Sequence, residues 1–189
     1  MTTLWLVRHG PTHAKAMVGW TDLPADLSDT AAVARLRASL PDAPMVSSDL
    51  IRAVATADAL QPNARLPHDP ALREINFGAW DGLTFPEAEA KDPDLLRAYW
   101  ETPGDVAPPA GESWNTVRAR ADAAIDRYIA LGHTDLIVVA HFGMILTQVQ
   151  RALGITSYAA FGHKISNLSV TNIEATPTGW AAPVINHVA

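Results

Sequence analysis

Hydrophobic positions along this chain fall into two patterns. Short unbroken apolar runs, TLWLV at 3–7 and LIVVA at 136–140, carry no polar alternation, as a strand covered on both faces requires. PMVSS at 44–48 is a third run of this kind. After each run the apolar positions recur at helical spacing. Ala32, Leu36 and Leu40 share a face within 28–40, which Ser28 or Asp29 would cap. Residues 49–60 are alanine-rich and open on Asp49. Ile145, Val149 and Leu153 mark a helix that stops before Gly154. The longest helix is expected over 113–131, where Trp114, Val117, Ala121, Ala124 and Tyr128 line one side and Gly132 closes the end. Near the C-terminus, NLSVTNIE alternates and predicts an edge or antiparallel strand, and 177–188 adds a further short one.

Strands alternating with helices predict a three-layer α/β sandwich: a mostly parallel central sheet with helices on both faces. The interval 79–112 breaks the pattern. It holds Pro86, Pro93, Pro103, Pro108 and Pro109 and no clear strand, so it is expected to be a cap-like insertion of one or two short helices and a loop. The whole of 1–189 then forms one domain.

Composition narrows the chemistry. With 48% hydrophobic and 18% charged residues there is ample material for a core. A net charge of −6 disfavours nucleic acid or an anionic membrane as the main partner, because both need a basic footprint. The absence of cysteine removes disulfides, thiolate catalysis and cysteine-based zinc sites. MTTLWLVRHG has neither the basic start nor the apolar stretch of a secretory signal, and LIVVA is too short to span a bilayer. A cytoplasmic location is the expectation.

In open α/β sheets, ligands bind beyond the carboxyl ends of the strands. Arg8 and His9 end the first strand, Arg52 falls in the first helical turn after the third run, and His141 ends LIVVA. Three elements thus deliver two arginines and two histidines to one sheet edge, where helix N-termini add further N–H donors. Arginine forks suit phosphate oxygens, and a neutral imidazole among them can attack phosphorus. Glu74, in LREINFGAWDG, supplies the acid that a leaving oxygen needs. Taken singly, each residue has a structural explanation: an arginine at a sheet edge, a core histidine satisfied by backbone. His9 and His13 are four apart, but Gly10 and Pro11 between them argue against a shared helical face and so against a metal pair. Glu112 has a structural explanation too: a place at a helix N-terminus favoured by the dipole, with Ser113 the cap.

In order, LVRHGPT, SSDLIRAVATA, LREINFGAWDG, PAGESW and VVAHFGMI resemble the motifs of the histidine phosphatase superfamily, the phosphoglycerate mutase-like fold. The resemblance runs from residue 4 to about 172, through ISNLSVTNIE. It implies a hydrolase in which His9 is phosphorylated and Glu74 donates a proton and later activates water. Arg8, Arg52 and His141 would hold the phosphoryl group, with Thr12, Lys15 and Phe142 at positions of the same pocket. Lys15 stands where the family commonly has asparagine, and Phe142 where it usually has a small residue. No metal or organic cofactor is implied.

EINFGAWDGLT and PPAGES resemble the phosphatase branch, including alpha-ribazole phosphatases and broad-specificity phosphatases. The expected substrate is a small-molecule phosphate ester of nucleoside type, such as alpha-ribazole phosphate. Phe85, Tyr99, Trp100 and Trp114 would provide rings for stacking, although Trp114 also fits a core position. Eight acidic residues in 79–115 (Asp81, Glu87, Glu89, Asp92, Asp94, Glu101, Asp105 and Glu112), against Lys91 and Arg97, are expected either to repel a second anionic group or to form a solvated face. The alternatives are a phosphoglycerate-type mutase and a non-catalytic phosphate-binding module on the same fold.

Overall fold

The computed structural model describes Met1–Ala189. Its sheet has five strands: β1 (Thr2–Arg8), β2 (Met45–Ser47), β3 (Asp135–Ala140), β4 (Ser169–Thr176) and β5 (Gly179–Val188), in the order β2-β3-β1-β4-β5. Seven helices accompany them: α1 (Thr30–Ser39), α2 (Ile51–Ala59), α3 (Phe85–Lys91), α4 (Pro93–Glu101), α5 (Trp114–Ile129), α6 (Phe142–Leu153) and α7 (Ser157–Ala160).

The sheet is mixed rather than mostly parallel. β2, β3 and β1 run parallel, whereas β4 pairs antiparallel with both β1 and β5. Unbroken burial reports that both faces of a strand are covered and says nothing of its direction. β4 is buried at six of its eight positions despite being antiparallel. It is also an inner strand; the edge is β5, joined to it by a hairpin at Pro177–Thr178. β5 carries Pro183, its pairing with β4 is interrupted by register shifts, and Asn186 has φ +60°, features that break up an exposed edge.

Side-chain alternation divides the core between two faces. From β3, Leu136, Val138 and Ala140 pack with α5, α6 and the 79–112 excursion. Ile137 and Val139 point the other way, with Val7, to meet Leu36 and Leu40 of α1 and Ala53 and Ala57 of α2. The helices follow the sequence pattern closely. Asp29 caps α1 by accepting from the Ala32 N–H, Ser113 caps α5 by accepting from the Thr116 N–H, and Gly154 ends α6 in the left-handed conformation. In α5, Trp114, Val117, Ala121 and Ala124 are fully buried. The excursion contains α3, which Thr84 and Glu87 open with a capping box, and α4. No helix is long and apolar enough to cross a membrane.

Candidate active site

Parallel pairing of β1 with β3, and of β3 with β2, aligns their carboxyl ends at one edge. Arg8 pairs with Ala140, and the His9 N–H donates to the Ala140 carbonyl at 3.1 Å, so His9 and His141 leave the sheet side by side. Their ring centroids lie 5.0 Å apart. Arg52 is the second residue of α2 and reaches the same edge. Because β4 is antiparallel, its start lies there too. The Ile165 carbonyl accepts from Arg8 Nη1 at 2.6 Å, and Asn167 Nδ2 donates to the His9 carbonyl at 2.8 Å. Asn167 has no prior signal beyond the late-strand motif in which it sits.

The His9 ring is oriented by its own neighbour: Nδ1 lies 2.6 Å from the Gly10 carbonyl. A carbonyl can only accept, so Nδ1 carries the proton and Nε2 keeps its lone pair. Burial and the nearby Arg52 and Arg8 charges hold His9 down to about 3, with only the Gly10 hydrogen bond acting the other way. His141 is wholly buried, and neither ring nitrogen has a partner in the protein. Burial pushes it well below the ordinary histidine value, and the neighbouring His9, Arg52, Arg120 and Arg8 push it further. Both imidazoles are therefore neutral at pH 7.

Glu74 lies on an irregular stretch between two short 3₁₀ turns, Pro70–Leu72 and Gly78–Trp80. Its carboxyl oxygen Oε1 accepts from the N–H groups of Ile75, at 3.0 Å, and Gly143, at 2.9 Å. Gly143 is the residue that permits this approach. A Cβ there would stand 2.6 Å from Glu74 Oε1 and from Ile75 Cδ1. The small residue expected directly after His141 thus occurs one position later. The Phe142 ring lies beneath the Arg8 guanidinium, 5.4 Å from its carbon. Burial raises Glu74 above the usual carboxylate range, against the opposing pull of its two N–H bonds, Arg52 and Arg8.

Arg8, His9, Arg52 and Glu74 converge on a pocket of about 120 Å³. Thr12, Ala14, Ala16 and Val18, from the loop after β1, complete its walls. Lys15 is exposed and does not line it. The buried Arg52 and half-buried Arg8 guanidiniums, beside a carboxyl biased toward its neutral form, leave local positive charge on an acidic protein, which suits a phosphoryl group. A larger hollow of about 640 Å³ lies between α1 and α2, where Arg37 is the only charged lining residue. It gathers no comparable chemistry.

Arg52 is fixed by carbonyls, donating to Thr21 at 2.9 Å and Gly19 at 2.6 Å. That loop is held from its other side by Asp81, whose carboxylate accepts from the N–H groups of Gly19, Trp20 and Thr21 and from the Thr21 hydroxyl. No local pattern in the sequence marks Asp81 for this task. Four more of the eight acidic residues are engaged within the fold: Glu87 in the capping box, Asp92 with Trp80, Asp105 with Asn115, and Glu112 with Arg120. Tyr99, Trp100 and Trp114 form edge and tilted ring contacts among themselves, Trp80 and Phe161, leaving Phe85 as the exposed member of the four expected rings. His13 pairs with Asp26 on the surface, apart from His9.

The model of the histidine phosphatase superfamily, branch 1, matches residues 4–188. The chain belongs to that superfamily. Among its relatives, a glucosyl-3-phosphoglycerate phosphatase of Mycolicibacterium vanbaalenii is 35% identical over 177 residues, covering 80% of this chain and 74% of its own length. Against other mycobacterial relatives, 34% identical over 171 residues, the chain spans 44% of their length. Of solved superfamily structures, YhfR of Bacillus stearothermophilus has a TM-score of 0.90 at 27% identity, covering 100% of this chain and 98% of that one. A putative alpha-ribazole-5'-P phosphatase of Escherichia coli shares the fold, with a TM-score of 0.86 at 22% identity over 100% and 97% of the two chains.

Proposed function

We propose that this member of the superfamily is a phosphomonoesterase acting through a phosphohistidine intermediate. The observation that carries the proposal is the free Nε2 of a neutral His9, sharing one pocket with Arg8, Arg52 and a carboxyl that favours its proton. In the first step Nε2 attacks phosphorus, the bond from phosphorus to the ester oxygen breaks, and Glu74 gives that oxygen its proton. Arg8 and Arg52 offset the charge of the transferring group, and His141, with both ring nitrogens unpartnered, donates to a phosphoryl oxygen from whichever nitrogen carries its proton. In the second step ionised Glu74 takes a proton from water as the water attacks phosphorus. The N–P bond breaks, inorganic phosphate leaves, and His9 is restored. Thr12 sits in the pocket wall as a further donor to phosphate; Phe142 acts by seating Arg8, and Lys15 as a charge near the mouth.

Hydrolysis is favoured over mutase chemistry because no cation of the 79–112 excursion lines the pocket; Arg97 instead shares a separate hollow with Glu89 and Glu101. The substrate is a small-molecule phosphate ester. Support for ring stacking is reduced to Phe85, and five of the eight acidic side chains are committed within the fold, so an anionic leaving group is compatible with the site. The named relative makes glucosyl-3-phosphoglycerate the first compound to assay, with alpha-ribazole phosphate beside it. Phosphate release should be measured on both, on p-nitrophenyl phosphate and on 3-phosphoglycerate. Turnover with an acid-labile phosphoenzyme is the expected result. Isomerisation of phosphoglycerate without net release would make the protein a mutase, and binding without turnover a phosphate-binding module.

A further inference from the structure

The stretch that carries Glu74 has no strand partner, so its backbone polar groups need another source of hydrogen bonds. One side chain satisfies three of its carbonyls. Arg120 of α5 donates from Nη1 to the carbonyls of Ala71, at 3.0 Å, and Arg73, at 2.8 Å, and from Nη2 to the carbonyl of Glu74 itself, at 2.8 Å. Its two remaining N–H groups go to Glu112: Nε to Oε1 and Nη2 to Oε2, both at 2.8 Å. All five donors of the guanidinium are engaged. Glu112 Oε2 also accepts from the Asn76 N–H at 2.9 Å, and the Glu112 N–H donates to the Asn76 carbonyl at 2.8 Å. The pair therefore grips the chain on both sides of Glu74, and only a planar five-donor fork has the geometry to do so.

We infer that Glu112 and Arg120 are a positioning pair for the proton donor: they hold residues 71–76 so that the Glu74 carboxyl meets the leaving oxygen. This rests on the role proposed above for Glu74. Neither side chain lines the pocket, so the pair acts on proton delivery and leaves phosphate binding to Arg8 and Arg52, which do line it.

The consequence is selective. A good leaving group needs little help from an acid, and a poor one needs much. Arg120→Lys should lower kcat/KM, which reports the first step alone, by about a hundredfold on glycerol 2-phosphate and by less than about threefold on p-nitrophenyl phosphate. The inhibition constant of inorganic phosphate should stay unchanged. Glu112→Gln keeps the volume and an acceptor for Asn76; it should show the same contrast in smaller measure, and it carries the comparison if Arg120→Lys does not fold. Equal losses of kcat/KM on both substrates, a weakened phosphate constant matching the loss in kcat/KM, or full activity on the alkyl ester would overturn the inference. Glu74→Gln is the control. If it lacks the leaving-group contrast while Arg120→Lys has normal activity, Glu74 is not the donor. If Glu74→Gln shows the contrast and Arg120→Lys does not, only the positioning role falls.

Discussion

His9 and Glu74 meet in one pocket but are held there by different means. His9 follows a strand whose register against β3 and β4 is set by backbone hydrogen bonds, to which Asn167 adds one side-chain bond at the His9 carbonyl. Glu74 sits on irregular chain and depends on Arg120, Glu112, the Trp20 indole N–H that donates to its carbonyl, and the backbone of α6 at Gly143. A group set by a sheet tolerates change around it, whereas a group set by side chains transmits changes made far away.

Removing the groups themselves should have the largest effects. His9→Ala should lower phosphate release by at least about a thousandfold while leaving the fold intact, because the strand does not need the imidazole. Residual turnover near wild type would mean that another group attacks phosphorus. Next comes Gly143→Ala, which inserts a methyl into the contact between α6 and Glu74. It is expected to cost about 1–3 kcal/mol of stability by overpacking and about tenfold or more in kcat on alkyl esters. An unchanged melting temperature with unchanged activity would show that the approach is looser than the 2.6 Å separation implies.

These two regions also differ in how far they are legible in the sequence. Strands, helix caps and the residues at the strand ends follow from local pattern, since a buried run followed by Arg-His-Gly needs only short-range rules. Arg120, Asp81 and Asn167 escape such rules. Each acts across 46 to 158 positions of chain on a backbone atom, and backbone donors and acceptors have no letter in the sequence. The antiparallel direction of β4 was legible in the alternation of NLSVTNIE, but its inner place was not, because the cover that β5 gives its outer side depends on a pairing no local pattern announces. The aromatic residues of 79–115 were visible as a group, but whether they face a substrate or one another is a question of packing.

Smaller effects sharpen the contrast. Asp81→Asn weakens acceptance from three N–H groups in the loop that positions Arg52, so inorganic phosphate should bind about threefold to tenfold more weakly, with little leaving-group dependence. A loss selective for alkyl esters would instead link Asp81 to Glu74. The pH profile separates the two groups by sign. In the free enzyme His9 stays neutral down to about 3, so it adds no acid limb above that value. Glu74 must be protonated for the first step, so kcat/KM should fall as pH rises through its elevated pKa, and this limb should disappear in Glu74→Gln. A limb that persists in the variant would belong to another group.

Asp81 and Glu112 stand at the two ends of the proline-rich excursion and fasten those ends to the loop that holds Arg52 and to the stretch bearing Glu74. Ala79 N–H to Pro109 carbonyl closes the neck between them at 2.8 Å. No residue from 82 to 111 lines the pocket. Descent with modification could therefore rewrite that interior segment, in length as well as in sequence, and acquire new substrates without re-inventing the chemical step.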